Sequence, residues 1–99
     1  MRTLSQVLAR NTHNYTLVLV FVNKQDDEIV DMVKRTCVTK EFYVAPISMH
    51  DAEQALLDHF MVTSVPLCVF LRHNKWSYIM PHVTEHSVTD MVDYLQTKI

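Results

Sequence analysis

The sequence predicts an α/β protein: a four-stranded mixed sheet with helices on both faces, its elements in the order α-β-α-β-α-β-β-α. Three observations carry this. The runs Tyr15–Val22 and Leu67–Leu71 are almost unbroken aliphatic and aromatic sequence, as expected of central strands buried on both faces. Stretches with helical apolar spacing and polar openings alternate with the strands. Finally, only the polar turn Arg72–Lys75 separates the last two strands. The chain therefore ends on a hairpin and a closing helix, after two βα units that call for crossover connections.

The elements follow in order. Thr3-Leu4-Ser5-Gln6 has capping-box spacing, and Leu4, Val7 and Leu8 form a short helical stripe over residues 3–10. Asn11 to Asn14 is a turn into the first strand. The polar stretch Asn23–Asp27 follows, where Asp26 or Asp27 can cap a helix and Asp26-Asp27-Glu28 complements its positive end. Ile29, Val30, Met32 and Val33 give that helix an apolar face reaching toward Cys37, with Lys34 and Arg35 on the favourable side of the dipole.

Phe42–Ser48 reads as a strand that Pro46 confines to an edge, because proline cannot donate a ladder hydrogen bond. Asp51 is expected to cap the next helix, with Ala52, Ala55, Leu56 and Phe60 inward. Trp76–Met80 is a strand with Trp76, Tyr78 and Met80 on one face. Ser87-Val88-Thr89-Asp90 has capping spacing, and Val88, Met91, Val92 and Leu95 give the last helix its stripe. No linker or repeat interrupts the order, so residues 1–99 are read as a single domain.

Composition narrows the function. None of the 99 residues is glycine, where ordinary usage gives about seven. Glycine-rich phosphate loops, dinucleotide fingerprints, nucleophile elbows and EF-hand loops are excluded together. A formal charge of −2 and the absence of a basic stripe beyond Lys34-Arg35 speak against nucleic acid. The run Leu17–Val22 is far too short to span a bilayer, and residues 1–10 carry no signal-peptide pattern.

Cys37 and Cys68 are separated by thirty intervening residues, which fits neither a zinc knuckle nor Cys-x-x-Cys. A cytoplasmic, reducing location is expected, and the sequon Asn14-Tyr15-Thr16, leading into a strand, is expected to be idle. Cys68 sits in an apolar strand and Cys37 at a helix C-terminus, where the dipole raises a thiol pKa, so both read as inert.

The element order, together with Phe60-Met61-Val62-Thr63-Ser64-Val65-Pro66 and the strand after it, resembles the thioredoxin-like superfamily over about Leu17 to Ile99. The family pattern implies an aromatic residue, a glycine and a usually cis proline ahead of an apolar strand. It also places Trp-Cys-x-x-Cys at the start of the helix after the first strand, where the dipole lowers the thiol pKa. Here that stretch is Lys24-Gln25-Asp26-Asp27-Glu28-Ile29. The family's buried carboxylate falls on Val20 and its frequent lysine partner on Pro46. The glycine positions carry Met61, Ser64 and Thr84. The resemblance thus implies a divergent member without the dithiol motif. It leads us to expect no catalytic residues, no metal, no cofactor and no dithiol oxidoreductase activity.

In such proteins the proline loop and the turn after the first strand often bind extended peptide. The corresponding surface here is Gln25, Asp26, Asp27, Ser64, Val65 and Pro66, joined by His82 and His86 from the segment before the last helix. The His82-x-x-x-His86 spacing matches half of a zinc finger, yet no cysteine pair precedes it, and a solvated loop is the plainer reading. Many family members also carry a strand beside the one matching Phe42–Ser48. Met1 lies almost at the first helix, so Phe42, Tyr43 and Val44 are expected on an open edge, available for strand addition or self-pairing unless Pro46 merely blunts it. The expected function is a redox-inactive protein-protein interaction module, either an adaptor, a complex subunit or a homodimer. The alternative is a single-cysteine enzyme or redox sensor using Cys68 or Cys37.

Overall fold

A computed structural model describes residues 3–10, 16–38, 41–72 and 76–97. The turns at 11–14 and 73–75, with Tyr15, lie outside the described residues. So does the Trp76 side chain. The elements are α1 (Leu4–Arg10), β1 (Thr16–Val22), α2 (Asp27–Thr36), β2 (Phe42–Ser48), α3 (Gln54–His59), β3 (Leu67–Arg72), β4 (Trp76–Met80) and α4 (Glu85–Thr97). The sheet order is β2-β1-β3-β4. β1 runs parallel to β2 and antiparallel to β3, and β4 is antiparallel to β3. This is the four-stranded mixed sheet read from the sequence.

β1 is the shared wall of two cores, and all seven of its residues are buried. Because side chains alternate across a strand, Val18, Val20 and Val22 join Cys68, Phe70 and Met80 under α2 and α4. Leu17, Leu19 and Phe21 join Ala45, Ile47, Val69 and Leu71 under α1 and α3. The apolar stripes seat the long helices as expected. Met32, Val33 and Cys37 of the α2 segment are buried, as are Val88, Val92 and Leu95 of α4, with Met91 packed against them.

At the opposite end from the β1–α2 turn, one polar cluster ties the layers. Thr16 is fully buried, and its Oγ1 accepts a hydrogen bond from Arg72 Nε at 3.0 Å. The same guanidinium donates to the Leu95 carbonyl at 3.3 Å. That contact satisfies a carbonyl in the last turns of α4 with a cation, the sign the helix dipole favours there.

Two helix starts differ from expectation. α3 begins at Gln54 behind Glu53, not behind Asp51, which lies in the preceding turn. Glu53 makes no side-chain cap because its carboxylate instead accepts the Leu4 amide at 3.2 Å, pinning the start of α1 to α3. The shift turns Ala55 outward and Leu57 inward. α4 begins at Glu85, ahead of the expected Ser87 cap. Thr84 caps it, with Ser87 N–H donating to Thr84 Oγ1 at 3.1 Å and Thr84 N–H to Ser87 Oγ at 3.0 Å. The reciprocal pair at Thr3 and Gln6 forms as the sequence indicates.

Candidate functional site

Strand register decides which loops meet. Val22 lies opposite Ser48, Phe21 opposite Leu67, and Cys68 opposite Met80. Segments 23–26, 49–53, 64–66 and 81–84 therefore leave the sheet at one end. The β1–α2 turn, the Pro66 loop and the β4–α4 loop are neighbours there, as the sequence reading requires.

Polar contacts fix the β1–α2 and β4–α4 loops, and apolar packing of Val65 fixes the Pro66 loop. In the β1–α2 turn, Asp26 Oδ2 accepts the Asn23 amide at 2.9 Å. Its carbonyl accepts the amides of Ile29 and Val30 at 3.1 and 3.2 Å. Asp26 is thus the N-cap residue of α2 by position, but its carboxylate folds back on the turn instead of capping the helix. Gln25 and Asp27 are exposed and Asp26 is half-buried. Asp27 and Glu28 occupy the first turn of α2, so the helix end that would hold thiols carries carboxylates.

The Pro66 loop combines an exposed Ser64 with half-buried Val65 and Pro66, and the Val65–Pro66 bond is cis. Val65 packs on the α1/α3 core. Upstream, Met61 stands at φ +54°, the one described residue in the left-handed region. A residue with a β-carbon thus occupies a left-handed position, the conformation that favours glycine.

The β4–α4 loop is organised by Ser87. Its Oγ lies 3.0 Å from the His82 carbonyl, 3.0 Å from the Thr84 carbonyl and 3.4 Å from Met80 Sδ, within donating reach of each. Sequence reasoning singled out Thr84 only as a lost glycine and Ser87 only as a cap. The spacing Thr84-x-x-Ser87 is the signal that identifies both roles.

The two histidines are not drawn together as a ligand pair. His82 is exposed, and its ring makes no hydrogen bond or ion pair among the described residues. His86 lies in the first turn of α4, not in the loop ahead of it, with its side chain 89% exposed and Nε2 3.2 Å from Asp90 Oδ2. Among the described residues no group of three or more His, Cys, Asp or Glu side chains is arranged to hold a metal ion.

The proton-relay position is apolar. Register sets Val20 beside Pro46, so neither an acid nor a lysine stands where the resemblance places them. Both cysteines are free and buried. Burial pushes the Cys37 thiol up to about 11. Burial, and secondarily the nearby Cys37, pushes the Cys68 thiol up to about 12. Desolvation disfavours the thiolate at both positions.

Among the described residues β2 is the outermost strand on its side of the sheet, with Phe42 buried, Tyr43 exposed and Val44 half-buried along it. No described helix is long and apolar enough to cross a membrane.

No protein-family model matches the chain, and no curated protein sequence matches it. Solved structures do. A designed protein superposes with a TM-score of 0.84 at 16% identity, covering 97% of this chain and 94% of that one. The germline-specific thioredoxin Deadhead from Drosophila melanogaster gives 0.73 at 23% identity, with 96% of each chain covered. Fasciola hepatica thioredoxin gives 0.75 at 16% identity, covering 95% of this chain and 98% of that one. The molecule is an α/β protein whose β1–α2, Pro66 and β4–α4 loops gather at one end of a mixed sheet. Its fold is thioredoxin-like.

Proposed function

We propose that the chain is a redox-inactive interaction module, an adaptor or complex subunit. Its contacts use the loop end around Pro66 or the open edge of β2, the latter also allowing self-association. One observation carries this reading. The turn that opens α2 presents Gln25, Asp26, Asp27 and Glu28, while the only two thiols are sealed in the core under that helix. A nucleophile and a resolving thiol are absent from the start of α2, and Val20 stands in β1 where the resemblance places the proton-moving carboxylate. Meanwhile the loops that would receive an extended peptide are kept and individually braced.

The alternative, a single-thiol enzyme or sensor through Cys68 or Cys37, finds less support. A thiol must ionise to attack, and both are buried with raised pKa values.

The test combines activity and partner capture. The purified protein should not accelerate insulin reduction by dithiothreitol. The Cys37→Ala/Cys68→Ala variant should capture the same partners from the native source as the wild type. Asp26→Lys or Ser64→Arg, at the loop end, should lose those that dock there. Insulin reduction above background, or loss of all partners in the cysteine variant with an unchanged circular dichroism spectrum, overturns the reading.

A further inference from the structure

The open edge of β2 can be read atom by atom. The Thr16 amide donates to the Glu41 carbonyl, and the Met49 amide donates to the Val22 carbonyl at 3.0 Å. Ladder bonding alternates along a strand, so the odd-numbered residues of β2 direct their backbone groups to β1. Phe42, Val44, Pro46 and Ser48 direct theirs away from the sheet. Proline thus stands at an outward position, where its missing N–H costs β1 nothing. The Ser48 carbonyl is already taken by the Asp51 amide at 3.0 Å. Among the described residues, what β2 offers to a new strand is the N–H and C=O of Phe42 and Val44 and the C=O of Pro46.

This edge carries one of the usual guards, Pro46 at an outward position, and lacks the other. Edge strands are commonly guarded by charged side chains, especially lysine, and Phe42-Tyr43-Val44-Ala45-Pro46-Ile47-Ser48 contains no charge. From this we infer that two copies of the chain pair edge to edge, antiparallel, through β2 with Val44 on the two-fold axis. The inference rests on the interaction-module reading and names its partner as a second copy.

The register makes the strand complementary to itself. Val44 faces Val44 of the other copy, and the two exchange both backbone hydrogen bonds. Each Phe42 N–H meets the opposing Pro46 carbonyl, giving four bonds, while each Phe42 carbonyl faces the opposing proline ring, which has no N–H to return. Between them Tyr43, 42% exposed, lies opposite Ala45, a large side chain against a small one. Centring the axis on Tyr43 would set the two tyrosines against each other. An axis on Ala45 would direct Phe42 at the occupied Ser48 carbonyl. One strand pair is a small interface, so association is weak and depends on concentration.

Charge exchange at Val44 tests this. In sedimentation, the wild type should shift from one chain mass toward two as concentration rises into the hundreds of micromolar. Val44→Lys and Val44→Glu, each alone, should remain monomeric over the same range, because like charges then face each other across the axis. Mixing the two should restore the dimer. A second measurement needs no variant. In the wild type, amide exchange at Phe42 and Val44 should slow at least tenfold at high concentration, while Tyr43 and Ala45, already bonded to β1, stay protected throughout. A wild type that is monomeric at every concentration overturns the inference, as does a dimer that survives both single variants or leaves the Phe42 and Val44 amides unprotected. If partner capture through the Pro66 end persists in a strictly monomeric protein, only the self-pairing fails. If nothing is captured and the edge pairs, the adaptor reading fails instead.

Discussion

The Val62 amide donates to the Leu57 carbonyl at 2.8 Å, closing the C-terminus of α3 across Met61. With the Met61 amide bonded to the Asp58 carbonyl at 3.2 Å, this is the paired arrangement that helices use to end on a left-handed residue. Val62 packs in the same core as Leu57, supplying the apolar contact that accompanies it. Glycine is the usual occupant of the left-handed position, yet Met61 holds it and is 69% exposed.

Met61→Gly should therefore stabilise the protein. The β-carbon costs about 1 kcal/mol or more in the left-handed region, and its removal should raise Tm by about 4 °C or more for a domain of this size. Met61→Ala keeps the β-carbon and should give no comparable gain. Thermal unfolding of the three proteins checks this; equal gains for glycine and alanine would trace the effect to the exposed methionine side chain.

Thr84 and Ser87 should behave as one unit. Thr84→Ala removes the side-chain cap of α4 and should cost about 1 kcal/mol in urea unfolding. Ser87→Ala should cost a similar amount, and the double variant less than the sum, since the two singles break the same reciprocal pair. Ser87→Ala should also speed hydrogen exchange at the Thr84 amide, which loses its acceptor.

Cys37 and Cys68 set an alkaline limit on stability. An unfolded thiol ionises near 9.0, whereas the folded ones are pushed up to about 11 and about 12. Below pH 9 both states hold the protons and stability does not vary from this source. From pH 9 upward the unfolded chain releases them first, so stability falls until the folded thiols also ionise. Urea midpoints between pH 8 and 11 should show this decline, with a shallower slope in Cys37→Ala/Cys68→Ala. Near neutral pH, a thiol reagent should label the native protein far more slowly than the unfolded chain.

Arg72→Met should destabilise by about 1–3 kcal/mol, because it leaves the buried Thr16 hydroxyl without its donor. Thr16→Val in that background should recover part of the loss, and a double-mutant cycle by chemical unfolding measures the coupling. Strict additivity would show that Arg72 acts through Leu95 alone.

Much of this architecture was legible in the residues because burial writes itself into local pattern. Leu17–Val22 and Leu67–Leu71 announce central strands by lacking any polar face, Pro46 marks the edge, and the spacing of Val88, Met91, Val92 and Leu95 seats the last helix. The start of α3 was not legible, because Glu53 is committed to Leu4, forty-nine residues away, and no window around Asp51 contains that fact. The α4 cap was ambiguous for a different reason. Thr84-x-x-Ser87 and Ser87-x-x-Asp90 are overlapping patterns, and the choice depends on how the loop leaves β4. The candidate site divides in the same way. Its loops could be named from the resemblance, but their meeting at one end of the sheet follows from register. The turn of His86 toward Asp90 follows from a helix beginning three residues earlier than expected.

The double-sided burial of β1 has one more consequence. A strand with one wet face punishes misalignment, because a shift of one residue drives polar side chains into the core. From Leu17 to Val22 every side chain is apolar, so sliding this strand against its neighbours would bury much the same material. Hydrophobicity alone leaves the alignment of the central strand nearly degenerate. Thr16 breaks that degeneracy. It faces Arg72 across the ladder, and only one alignment brings its hydroxyl to that guanidinium. A single polar residue at the mouth of the strand thus acts as the index mark by which the other six find their places.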